Sequence, residues 1–213
     1  MHFLSETLQE YITSHSEDEP FYLTELSRET HLKVIQPRMI TGHYQGRVLS
    51  MLSKIIGPIN ILEIGTYTGY SALCLAEGLT PNGRLHTIDI NEELAGIQKK
   101  YFDKSGFSDL ICQHTGDALQ IIPSLQLKFD LVFIDAEKKE YPRYFEAVLP
   151  KTRKGSIILS DNVLWSGKVV EALEVNDKAT KALLEYNQML KEDPRVETVM
   201  LPIRDGLTLS RVL

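Results

Sequence analysis

The sequence predicts an α/β fold built on a doubly wound, largely parallel sheet. Three observations carry this reading. After Pro58, short β-branched runs alternate with longer amphipathic ones, the order that right-handed strand–helix–strand crossovers require. Before Pro58 the chain reads as helical throughout. Near the end, two β-type runs are separated only by Pro202-Ile-Arg-Asp-Gly206, which is the mark of a hairpin and so of an antiparallel addition to the sheet.

The elements follow in order. Helices are expected at Phe3–Ser14, Thr24–Leu32 and Tyr44–Ile56, broken by Ser-Glu-Asp-Glu-Pro20 and by Gln36-Pro37-Arg38, with Gly42 before the third. Strands are expected at Ile59–Ile64, Leu85–Ile90, Leu110–His114, Phe129–Ile134 and Ser156–Ser160. The amphipathic runs Ser71–Gly78, Glu92–Ser105, Asp117–Ile122 and Glu140–Leu149 supply the crossovers. A helix near Lys178–Lys191 leads into the hairpin Arg195–Leu201 and Leu207–Val212, giving seven strands in all. Residues 1–213 are read as one domain, with 1–58 a helical cap on a core of 59–213.

At 213 residues the chain is long enough for one well-buried domain. Its 43% hydrophobic and 24% charged composition is that of an ordinary globular protein. No apolar run reaches the roughly 18 residues of a membrane span, and the N-terminus lacks the basic and apolar regions of a signal peptide. A cytoplasmic protein with no membrane partner is the expectation. Cys74 and Cys112 show no metal-like spacing and read as free thiols. The net charge of -6 argues against gripping nucleic acid over the whole surface. A local basic segment, Lys138 to Lys154, reads as a solvated helix face and turn, although it is compatible with a basic patch.

In sheets of this kind the ligand sits outside the carboxyl ends of the strands, so those ends locate the chemistry. The first strand runs into Glu63-Ile-Gly65-Thr-Tyr-Thr-Gly69-Tyr-Ser71. Its glycines let the backbone turn tightly and approach a ligand, but the G-x-x-x-G spacing is not that of dinucleotide enzymes. Glu63 would repel a pyrophosphate and suits a cationic ligand. Asp89, 24 positions after Gly65, is placed to accept from a ribose diol, and Asp117 could take an exocyclic adenine amine. Either could instead be a helix cap or turn residue. Together they outline an adenosine with a cationic tail, which S-adenosylmethionine fits better than NAD.

The fourth strand ends at Asp135 and the fifth at Asp161-Asn162. Adjacent strands would bring these ends together, giving two carboxylates and an amide with no sulfur or histidine. That set suits Mg²⁺, Ca²⁺ or Mn²⁺ rather than Zn²⁺, and the alternative is an ordinary turn and cap. Lys138 follows Asp135 by about one helical turn. Beside a cation and a sulfonium its amine would be pushed toward the neutral form, so that it could act as a general base. Lys139 is its solvated neighbour.

LEIGTYTGYSA, HTIDIN, GDAL, FDLVFIDAEKKEY, LSDNVLWSGKV and LPIRDGLTL together resemble the class I, cation-dependent O-methyltransferases, which include the catechol and caffeoyl-CoA O-methyltransferases and bacterial relatives. The likeness runs from about Gln36 to the C-terminus. It implies a Rossmann-like sheet of order 3-2-1-4-5-7-6 with the last strand antiparallel. It implies metal ligands at Asp135, Asp161 and Asn162 and a catalytic lysine at Lys138. Cofactor contacts are implied at Glu63, Gly65, Ser71, Asp89 and Ala118, with Asp117 at the adenine, and at Met39 and Thr41 for the methionine portion. Trp165 matches a tryptophan of the acceptor pocket. Six residues before Asp205, where the catechol enzymes carry a glutamate, this chain has Val199. The implied reaction is methyl transfer to a hydroxyl of a metal-chelated vicinal dioxygen, in a small catecholic or phenylpropanoid-like acceptor or in a tRNA 5-hydroxyuridine. The resemblance also implies a homodimer.

Overall fold

The computed structural model describes residues 5–213. The expected start of the first helix at Phe3 lies outside them. Within them α1 is Glu6–Ser14, opened by Ser5, whose hydroxyl accepts from the Leu8 amide. α2, Phe21–Lys33, starts three residues earlier than the sequence suggests. Pro20 has a φ of -55° already suited to a helix entry, and its carbonyl accepts from the Leu23 and Thr24 amides, so the first turn closes on it. α3, His43–Ile56, ends on Gly57 in the left-handed region, with the Gly57 amide donating to Ser53.

The alternation after Pro58 is β1 (Asn60–Ile64), α4 (Tyr70–Ala76), β2 (Arg84–Asp89), α5 (Ala95–Ser105), β3 (Ile111–Thr115), α6 (Ala118–Ser124), β4 (Phe129–Ile134), α7 (Tyr141–Val148) and β5 (Thr152–Asp161). Then come α8 (Lys178–Glu192), β6 (Val196–Leu201) and β7 (Leu207–Val212). The seven strands form one sheet of order β3-β2-β1-β4-β5-β7-β6. β7 runs antiparallel to both of its neighbours and the other pairings are parallel.

A strand boundary differs from expectation as well. β5 begins at Thr152 rather than Ser156, because Phe129 pairs with Thr152 while Leu131 already faces Ile157. The charged stretch Arg153-Lys154-Gly155 bulges out to solvent between these pairs, which is why it reads as a turn in the sequence.

Both faces of the sheet are covered. Leu62, Val132, Ile134 and Ile158 pack on one side against Phe145 and Val148 of α7 and Leu183 and Tyr186 of α8. Ile61, Leu131, Phe133 and Leu159 pack on the other against Leu73 of α4, Leu49 of α3, and Leu23 and Leu26 of α2. Each such side chain contributes about 1.5–3 kcal/mol, so β1, β4 and β5 are firmly seated. Their register is what positions the site. Ile64 lies beside Ile134, and Ile134 beside Ser160. The next residues, Gly65, Asp135 and Asp161, therefore leave the sheet at one level.

Candidate active site

The loop after β1 is pressed onto the backbone after β4. Gly65 has φ +100°, and a β-carbon there would sit 1.9 Å from the Asp135 carbonyl oxygen, so no other residue fits. Beneath the loop, Glu63 is fully buried and accepts from Ser71 Oγ at 2.6 Å and Thr87 Oγ1 at 2.5 Å. Burial pushes its carboxyl up to about 8, and the charges of Asp135 and Asp89 push the same way. Glu63 therefore underlies the loop and orders Ser71, rather than projecting from it.

At the end of β2, Asp89 accepts from the Tyr67 amide at 2.7 Å and the Asn91 amide at 2.8 Å. Asp117 caps α6 by accepting from the Leu119 amide at 2.9 Å, with Ala118 buried behind it. Asp117 is thus a helix cap and Asp89 a turn residue, at neighbouring strand ends.

Met39, Thr41, Gly65, Ser71 and Asp135, expected from the sequence to act together, line one cleft with Tyr67 and Tyr70. Met39 and Thr41 come from the segment between α2 and α3. Arg204, in the turn between β6 and β7, secures that segment. Its guanidinium donates to the Thr41 carbonyl, to the Ile40 carbonyl at 3.1 Å and to Gln45 Oε1 at 3.4 Å. On the other flank the Tyr70 hydroxyl donates to Glu19.

Beside the cleft lie the ends of β4 and β5. Lys138, 7% exposed, donates to Asp135 Oδ1 at 2.8 Å and to the Tyr141 hydroxyl at 2.6 Å. Asp161, 3% exposed, accepts from the Asn162 amide at 2.8 Å. Burial and the charge of Asp135 raise its carboxyl well above the usual carboxylate range, against the opposing pull of Lys138 and Gln45. Gln45 is itself 1% exposed. Its Oε1 faces the guanidinium of Arg204, which can only donate, so its amide NH₂ is the group left for Asp161. That NH₂ makes no well-formed hydrogen bond and acts on Asp161 at longer range. Among the described residues no three His, Cys, Asp or Glu side chains converge on a cation position; the donor set here is two carboxylates and the Asn162 amide.

The chain then passes through left-handed conformations at Asn162 (φ 58°), Trp165 (φ 46°) and Ser166 (φ 56°). Asp205 holds this loop, accepting from the Ser166 amide at 2.5 Å. Trp165 packs partly buried against the core on the α7–α8 side. Val199 lies in the middle of β6, opposite Leu209 and 55% exposed, away from the strand ends. Tyr141, Gln45 and Arg204 are site neighbours that the sequence reading did not single out. Tyr141 stands three residues after Lys138 inside a quoted motif, and Gln45 one turn after Thr41. Arg204 lies in the stretch LPIRDGLTL, but nothing there points to its partners in the segment before α3.

Known proteins resemble this chain over nearly its whole length. Residues 13–213 match the family model described as O-methyltransferase. The chain is 36% identical to the caffeoyl-CoA O-methyltransferase of Eucalyptus gunnii, over 97% of this chain and 88% of that one. It is 35% identical to caffeoyl-CoA O-methyltransferase 5 of Nicotiana tabacum, over 97% and 91%. Among solved structures, an O-methyltransferase from Bacillus cereus in complex with SAH superposes with a TM-score of 0.90 at 30% identity, covering 97% of each chain. TomG of Streptomyces achromogenes, in complex with SAM, gives 0.88 at 30% identity, covering 98% and 99%. With the match spanning nearly its whole length, this chain belongs to the O-methyltransferase family.

Proposed function

We propose that the protein transfers a methyl group from S-adenosylmethionine to one hydroxyl of a small acceptor with vicinal oxygens, with the help of a divalent cation. The observation that carries this is the level exit of Gly65, Asp135 and Asp161 from the sheet, which joins a cofactor-sized loop to an oxygen-only donor set. The SAH and SAM held by the Bacillus and Streptomyces proteins support the cofactor assignment.

Asp135, Asp161 and Asn162 would hold the cation, and the fit is chemical. All three offer hard oxygen donors, and buried Asp161 feels the charge of the part-exposed Asp135, with Lys138 pulling the other way. S-adenosylmethionine supplies the methyl group, and the divalent ion, Mg²⁺ by donor type, lowers the pKa of the attacking hydroxyl. Gly65 and Ser71 shape the loop around the methionine portion, with Met39 and Thr41 above it. Asp89 faces the ribose, and Asp117 with Ala118 the adenine. Lys138 takes the acceptor proton at Nζ, and the enclosed strand ends fix the line of attack, which displacement at carbon demands. Trp165 borders the acceptor. The caffeoyl-CoA relatives support a catecholic or phenylpropanoid-like acceptor. The outer side of α3, where Met51 and Ile55 are exposed, supports a homodimer.

The test is transfer of labelled methyl to 3,4-dihydroxycinnamic acid with Mg²⁺, repeated in EDTA and with Asp161→Ala. Both changes should remove most turnover, and full activity in EDTA would sink the metal-dependent reading. Labelling of hydroxyuridine-containing tRNA but not of the phenol would replace the acceptor class.

A further inference from the structure

Tyr141 touches the Lys138 amine and has no part in the scheme so far. It is fully buried, and its ring sits edge-on to Tyr186 at 5.3 Å and 82°. Tyr186 is in turn hydrogen-bonded to Ser160 at 2.6 Å. The Tyr141 hydroxyl lies between the ends of two strands, 2.9 Å from the Asp161 carbonyl and 3.2 Å from the Ile134 carbonyl. Carbonyl oxygens only accept, so the single hydroxyl proton is directed to them. The oxygen is then left to accept from Lys138 Nζ at 2.6 Å.

We propose that Tyr141 is the positioning residue that aims the Lys138 amine at the reacting oxygen of the acceptor. This rests on Lys138 being the base. Lysine is a flexible four-carbon stem with three rotatable donors, and held by Asp135 alone it would sweep an arc. In the neutral amine that a base requires there are two N–H bonds and one lone pair. With the N–H bonds given to Asp135 and, as a second anchor, to Tyr141, the lone pair is left to take the proton from the substrate. The anchor is rigid because its ring is wedged in the core, and it is referenced to the carbonyls of Ile134 and Asp161. The amine is thereby tied to the same two strand ends that carry Asp135 and Asp161. Changes in strand separation move the base and the carboxylates together.

The experiment is a kinetic double-mutant cycle with Tyr141→Phe, Lys138→Met and the double variant, using labelled S-adenosylmethionine, Mg²⁺ and 3,4-dihydroxycinnamic acid. It is paired with a crystal structure of Tyr141→Phe with S-adenosylhomocysteine. Phenylalanine keeps the ring packing. The expected result is a kcat lower by about 100-fold, as for a misplaced catalytic group, with acceptor KM and S-adenosylhomocysteine affinity unchanged. Adding Tyr141→Phe to Lys138→Met should cost nothing further, since a residue acting only through Lys138 has nothing left to act on. In the crystal, Lys138 Nζ should leave its wild-type place by more than the ~0.5 Å that a productive site tolerates. Equal losses in both backgrounds, or an amine that stays in place, would overturn the proposal while leaving the base reading intact. Full turnover by Lys138→Met would overturn the base reading and the proposal with it.

Discussion

Replacing Gly65 by alanine isolates the contact that joins the loop after β1 to the end of β4. The new β-carbon would lie 1.9 Å from the Asp135 carbonyl oxygen, where ordinary contact begins near 3.4 Å, so the two backbones must separate by 3.4 − 1.9 = 1.5 Å. The positive φ costs about 1–3 kcal/mol and the overpacking about as much again, or about 2–6 kcal/mol together. At about 2–4 °C per kcal/mol, Tm should fall by roughly 10 °C. Misplacement on this scale next to Asp135 should lower kcat/KM by about 100-fold or more. Two other glycines separate the causes. Gly155 has φ +90° with nothing within 4 Å of a new β-carbon, so Gly155→Ala reports strain alone. Gly96 also has nothing within 4 Å and no positive φ, and lies in α5, so Gly96→Ala should be neutral or stabilising by up to about 1 kcal/mol. Thermal unfolding, calorimetric titration with S-adenosylhomocysteine and initial rates would be compared across the three. If Gly65→Ala unfolds no earlier than Gly155→Ala and binds the cofactor product as wild type does, the reasoning is refuted.

Other changes follow from the same structure. Glu63 should make the cofactor-free fold lose stability as pH rises. Its carboxyl titrates near 8 when folded against 4.5 in the free chain, so folding favours the protonated form between those values. Urea midpoints from pH 5.5 to 8.5 should decline for wild type and decline less for Glu63→Gln, and parallel curves would contradict this. Arg204→Ala should weaken S-adenosylhomocysteine binding about tenfold, equivalent to about 1.4 kcal/mol, while kcat at saturating cofactor changes less, because Arg204 grips the segment bearing Met39 and Thr41 directly and reaches Asp161 only through its longer contact to Gln45. Titration calorimetry decides it, and an unchanged Kd would show that the segment keeps its place unaided. Arg47 and Glu77, paired at 2.7 Å with side chains 9% and 10% exposed, form a largely buried ion pair between α3 and the residue that ends α4. Arg47→Met should cost about 3–5 kcal/mol in denaturant unfolding, with little change in KM, whereas a loss below 1 kcal/mol would mean that Lys54 and Ser50 suffice for Glu77.

How much of this was legible in the sequence depends on how locally each feature is written. The strand ends were readable because parallel strands buried on both faces carry continuous apolar runs, such as Leu131–Ile134, and the charges that end them stand out. Asp135, Asp161 and Asn162 fall at such ends, and the register brings the two aspartates to one level. The start of β5 was missed because Arg153 and Lys154 bulge to solvent and carry no strand pattern. The supports of the site were missed for a different reason. Tyr141 acts through carbonyls 7 and 20 residues away, and Gln45 faces a turn 159 residues later. Nothing in a tyrosine on an amphipathic helix, or in a glutamine at its start, encodes a partner that only the folded sheet delivers.

The grip of Arg204 on the Ile40 and Thr41 carbonyls also sets a timetable. It joins residues 164 and 163 positions apart, and it sits in a hairpin whose second strand slots between β5 and β6. A ribosome that has delivered Asp135, Lys138, Asp161 and Asn162 has made all of the proposed chemistry, but the roof of the cleft is still unfastened and β5 still has an open edge. Only as the hairpin emerges are the edge covered and the clasp closed, in one event. The roof of the cleft is thus fastened by the same strand pairing that closes the edge of β5.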